Sequence, residues 1–101
     1  MSTRPARAAA ACTTLAAVRE EIDRIDRDVI ALLAERSTYV ARAGTFKRNV
    51  DEVRAPDRAA QVIANAGRMA ADAGADPRVI ERIYRELVAA FTDYEISSRK
   101  S

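Results

Sequence analysis

The side chains in this 101-residue sequence that could carry chemistry form a short set. There is no His, and Cys12 is the single cysteine. The commonest general base and metal ligand is therefore missing, and nucleophiles paired with His are excluded. One cysteine also excludes an internal disulfide and a cysteine-built metal cage. No metal and no cofactor is expected. Any chemistry must come from Arg, Lys, Asp, Glu, Tyr and hydroxyl groups.

Five charged residues stand where the local pattern makes them candidates. Arg36 lies in an apolar seam, in register with Val29, Leu32 and Ala43. Burying a charge there unpaired costs several kcal/mol, so a bound anion would satisfy it. Arg19 sits beside the same seam, next to Val18 and Ile22. A stem packed on the seam with its guanidinium in water explains Arg19 equally well. Glu95 ends a stripe of Tyr84, Val88 and Phe91. Eleven residues on a helix return to nearly the same angle, so the carboxyl shares that apolar face. Desolvation there favours the neutral acid, whereas fraying of the helix end would leave it wet. Lys47, at a helix–loop junction, could fold over a pocket. Arg58 lies one turn into the next helix. Alone, neither is diagnostic, since helix ends favour cations in any case.

Three helices are expected to position these groups. The first begins at Thr13 or Thr14, either able to cap it, and runs to about Phe46 or Lys47. Leu15, Val18, Ile22, Ile25, Val29, Leu32, Tyr39, Ala43 and Phe46 recur at alternating spacings of three and four, with the charged Arg36 filling the one position between Leu32 and Tyr39. Gly44 and Thr45 could fray its last turn. Arg48 to Ala55 has mixed polarity, ends at Pro56 and is expected to be a loop. Pro56 suits the first turn of a second helix, whose apolar face is Val62, Ile63, Ala66, Met69, Ala70 and Ala73. Gly74 supplies a left-handed stop. Asp76-Pro77 then starts a third helix carrying Ile80, Ile83, Tyr84, Leu87, Val88, Phe91 and Tyr94.

The totals agree with an all-α domain: 49% hydrophobic, 32% charged, three Gly, three Pro and much Ala. A helix from Leu15 to Lys47 is roughly 50 Å long, whereas a 100-residue globule is roughly 34 Å across. The first helix overshoots any monomer, and an intertwined homodimer is the simplest way to cover its seam. A net charge of +2, without a basic stripe, argues against nucleic acid as a partner. No apolar run is long enough for a membrane span. Residues 1–11 lack the apolar centre of a signal peptide and are expected to form a disordered tail, with residues 12–101 as the domain. A cytoplasmic location is expected.

Together these residues resemble the helical (AroQ-type) chorismate mutases. The resemblance runs from Cys12-Thr13-Thr14-Leu15 through Val18-Arg19-Glu20-Glu21-Ile22-Asp23, then Leu32-Leu33-Ala34-Glu35-Arg36. It continues in Phe46-Lys47, Ala55-Pro56-Asp57-Arg58 and Asp93-Tyr94-Glu95-Ile96. It covers residues 12 to about 98. It implies an interlocked three-helix dimer binding a small-molecule substrate, chorismate or isochorismate. Arg19 would reach into the other subunit's pocket, Arg36 would hold one substrate carboxylate, and Arg58 would line the pocket. Lys47 would bind the second carboxylate region and the ether oxygen, where Glu95 replaces a Gln found in many members. The implied reaction, chorismate to prephenate, is pericyclic and needs no nucleophile or proton transfer. The protein must hold a compact diaxial conformer and stabilise charge growing on the ether oxygen.

The sequence departs from the mutase pattern at three places. Ala59 replaces a Glu that contacts the substrate's ring hydroxyl in the family, and Phe91 stands where the bacterial prototype has Ser. Ala55-Pro56-Asp57-Arg58 and Cys12-Thr13 look more like the isochorismate-pyruvate lyase branch, which makes salicylate and pyruvate, although those lyases too have Gln where this chain has Glu95. A mutase acting on an amino analogue of chorismate is a further alternative. Outside enzymes, the same helices could form a dimer that binds a metabolite or a protein.

Overall fold

The structure, a computed structural model, describes residues 8–99. Among these, every regular element is helical: a 3-10 turn, Ala9–Ala11, then α1 (Leu15–Gly44), α2 (Val50–Arg54), α3 (Pro56–Asp72) and α4 (Pro77–Arg99). The three long helices are those expected. Residues 1–7 of the tail lie outside the described residues.

The helix ends form as their sequences dictate. Thr14 Oγ1 accepts from the amide of Ala17 at 3.0 Å and caps α1. Asp76 Oδ1 accepts from the amide of Arg78 at 2.9 Å at the start of α4, with Pro77 in its first turn. α3 closes with Gly74 at φ 81°, while the amide of Ala75 reaches the carbonyl of Ala70 at 2.8 Å and that of Gly74 reaches Ala71 at 3.2 Å. That pair of bonds is the Schellman closure, which needs a left-handed residue at this place.

Two expectations need correction. α1 ends at Gly44 rather than at Phe46 or Lys47. Beyond it, Thr45, Phe46 and Lys47 donate to carbonyls three residues back, so the chain tightens before leaving the helix. The segment read as a loop contains α2. Asn49 Oδ1 accepts from the amide of Glu52 at 2.9 Å, and the Glu52 carboxylate accepts from the amide of Arg48. Asn followed three residues later by Glu resembles a capping box, with the return bond taken from Arg48, one residue before the cap, and it starts a five-residue helix. Val53, 4% exposed, anchors α2 where it packs on α4. Pro56 disfavours right-handed helix at the residue before it, and Ala55 turns left-handed at φ 33° between α2 and α3.

The chain divides into two units between Tyr39 and Val40. The first consists of the 3-10 turn and α1 as far as Tyr39. Its seam is largely open: Leu15 is 62% exposed and Ile22 50%, and Val18, Ile25, Val29 and Leu32 are also exposed. The second holds the last turn of α1 and helices α2, α3 and α4. Its core is built mainly where α3 meets α4, with Ala66 and Ala70 buried. Gly67 is buried there too, and a Cβ on it would meet the Oε1, Cδ and Cγ of the Glu81 side chain from α4. The expected apolar faces are buried unevenly, since Met69, Ile83 and Tyr94 are exposed.

Candidate active site

Lys47 and Glu95, 48 residues apart, meet in the second unit. Lys47 Nζ lies 3.1 Å from Oε2 and 3.3 Å from Oε1 of Glu95. The carboxylate is on the buried face of α4, one turn beyond half-buried Phe91, and Glu95 is 8% exposed overall. Of the two sequence readings of Glu95, the frayed, wet end is therefore overturned. Lys47 sits in the turn after α1, with its side chain 26% exposed, so the pair is covered but reachable. A carboxylate taken out of water is stabilised here by an ammonium that the helix pattern did not pair with it.

Gly44 lies close against the pair. It ends α1, and a Cβ there would lie 3.1 Å from Glu95 Oε2, a tight approach. Arg99, one turn beyond Glu95 on α4, directs Nη1 toward the carbonyls of Lys47 at 3.4 Å and Gly44 at 3.5 Å. These are long hydrogen bonds to groups at the carbonyl end of α1, which also attracts a cation through the helix dipole.

The remaining candidates are placed as follows. Ala55 and Ala59 are half-buried around the start of α3. Arg58 is exposed, and its Nη1 donates to Oε1 of Gln61 at 2.9 Å, further along its own helix rather than to Glu95. Arg19 and Arg36 stand on α1 in the first unit, Arg19 exposed and Arg36 half-buried. The first unit also holds a buried carboxyl outside the seam positions. Glu21 is 8% exposed and accepts from Arg24 Nε at 3.1 Å, while Arg24 lies 3.7 Å from Asp28. Ordinary i, i+3 and i, i+4 charge spacing hid it as a solvated pattern. Gly44 and Arg99 were missed for a different reason, since their importance lies in contacts across more than 50 residues.

Glu52 is the described group whose titration is clearly displaced. The amide and guanidinium of Arg48 hold its carboxyl below the usual value of 4.5, with a smaller contribution from Arg99. No cluster of three or more metal-ligating side chains occurs among the described residues, and no described helix is long and apolar enough to cross a membrane.

Comparison with known proteins adds the following. The family model for chorismate mutase type II matches residues 18–96. An isochorismate pyruvate lyase of Pseudomonas aeruginosa is 36% identical over 77 residues, covering 76% of this chain and 76% of the lyase. A 4-amino-4-deoxychorismate mutase of Streptomyces pristinaespiralis is 36% identical over 81 residues, covering 79% of this chain and 63% of that mutase. The T-protein of Enterobacter agglomerans is 32% identical over 75 residues, 73% of this chain but 20% of the T-protein.

Proposed function

Because this chain belongs to the chorismate mutase type II family, we propose that it rearranges chorismate to prephenate as a homodimer without a cofactor. The observation that carries this reading is the covered Lys47–Glu95 pair, with Lys47 Nζ 3.1 Å from the carboxylate. An ammonium and a carboxyl side by side, shielded from water, can address one oxygen atom with two hydrogen bonds. The reaction breaks the ether C–O bond as a new C–C bond forms, and negative charge grows on the departing oxygen. Lys47 donates to that oxygen, and Glu95 donates once it carries a proton. Both act more strongly as charge accumulates than in the ground state, which is the condition for acceleration. Arg36 binds a substrate carboxylate from its own subunit, Arg19 enters the partner's pocket, and Arg58 leaves Gln61 to line the pocket. Ala55, Ala59 and Phe91 shape the walls.

The exposed seam of α1 supports the homodimer. Covering the exposed half of each seam side chain contributes about 1 kcal/mol apiece, whereas few large apolar side chains are buried within the chain alone.

A second reading, isochorismate-pyruvate lyase, is favoured by Ala59, which offers no acceptor to the ring hydroxyl. It is also favoured by the match to a lyase over three quarters of both chains. The same ether bond breaks, with hydrogen passing from the ring to the enolpyruvyl group. The deciding experiment incubates the purified protein with chorismate and with isochorismate and follows prephenate, salicylate and pyruvate. Prephenate without pyruvate is the expected result. Rapid salicylate and pyruvate from isochorismate would install the lyase reading instead. Tight binding of both compounds without turnover would make the protein a metabolite-binding dimer.

A further inference from the structure

We infer that Arg99 is a positioning residue for Lys47, holding the turn after α1 by its main-chain carbonyls so that the ammonium meets Glu95 and the substrate at a fixed height. The inference rests on the reading of Lys47 as a substrate-binding group.

Lys47 is carried on a turn, and its side chain has several rotatable bonds. Left to itself, such a group costs entropy each time it is placed. α4 removes that freedom twice, from two residues four apart on one face. Glu95 takes the ammonium at 3.1 Å. Arg99 takes the backbone, with Nη1 at 3.4 Å from the Lys47 carbonyl and 3.5 Å from the Gly44 carbonyl. When substrate enters and Lys47 turns from Glu95 toward the anion, the side-chain tie is released. The backbone tie persists, because it does not involve the ammonium. Arg99 is thus the hold that survives binding.

Two neighbours support the assignment. Gly44, whose carbonyl Arg99 reaches, is also the residue whose missing Cβ admits the Glu95 carboxylate. Glu52, the carboxylate that caps α2, also feels the charge of Arg99. Long, exposed hydrogen bonds contribute little to folding stability but can still restrict a turn.

The test uses the full chain with Arg99→Met, which keeps the apolar stem, and Arg99→Lys, which keeps the charge. Arg99→Met is expected to lower kcat about tenfold with a smaller change in KM, because a displaced cation loses most in the transition state. Helicity by circular dichroism is expected to stay at the parent level, and Arg99→Lys to recover part of the activity. A second readout is independent of turnover. The chain has two lysines, Lys47 and Lys100, so reductive 13C-methylation gives a spectrum in which Lys100→Arg assigns Lys47. In Arg99→Met, the Lys47 methyl signal is expected to broaden and move toward the position of a free lysine. An unchanged Lys47 signal with kcat within twofold of the parent would overturn the inference. If Lys47→Met itself retains parent turnover, the reading of Lys47 fails and the inference falls with it. An inactive Lys47→Met beside a fully active Arg99→Met removes the role of Arg99 alone.

Discussion

A carboxyl can help an ether oxygen leave only if it donates a hydrogen bond, and it can donate only when protonated. In the free chain Glu95 accepts from Lys47 instead. Glu95→Gln, whose amide donates without taking up a proton, is therefore expected to raise prephenate turnover at pH 7. Initial rates of prephenate formation check this, and a Glu95→Gln rate below the parent's would rule out the donor role. At the same scale, Lys47→Met should cut kcat/KM by about a hundredfold or more, since it removes the charged donor at the developing oxyanion. It also leaves Glu95 covered without its cation, so its thermal midpoint should fall as well.

Helix packing decides two further outcomes. In a helix, Gly→Ala ordinarily gains about 1 kcal/mol. At Gly67 the added methyl would press on Cγ and Cδ of Glu81 at 2.9 Å. Gly67→Ala is therefore expected to forfeit that gain, as the Glu81 side chain must swing away from α3. Adding Glu81→Ala should recover the loss and reveal the propensity gain, and thermal melts of the four-member cycle measure both. α2 carries a pH signature. Its Glu52 carboxyl titrates below its ordinary value because Arg48 binds the charged form. A depressed folded value contributes stability that is present above the unfolded value and lost as pH falls through the folded one. The parent should thus melt above Glu52→Gln at pH 7, with the gap shrinking as pH falls below the ordinary carboxyl value of 4.5. A gap that stays constant across that range would show that the capping charge has no part in it.

For the whole molecule, α1 is the governing fact. Thirty residues of helix span about 45 Å, longer than a domain of this size is wide. Ile22 and Ile25, near the middle of the open seam, are each about half exposed. Ile25→Glu is expected to shift the protein from dimer to monomer in sedimentation, with loss of helicity and of turnover, because Arg19 then has no partner pocket to enter. A parent that sediments as a monomer at micromolar concentration, yet is fully active, would refute the dimer.

Periodicity, caps and breakers determined the three long helices by themselves. Thr14, Asp76-Pro77, Pro56 and Gly74 act within one turn, and local interactions are what a linear pattern records. The same logic could have revealed α2 from Asn49 and Glu52, had the capping spacing been weighed against the mixed polarity. Glu95 announced itself as a charge on an apolar stripe. Only the tertiary structure decided that it faces Lys47, that Gly44 leaves room for it and that Arg99 grips the turn below. Those contacts join residues about fifty positions apart, and their register is set by how α4 packs beside the end of α1. Nothing in the residues' own neighbourhoods carries that information.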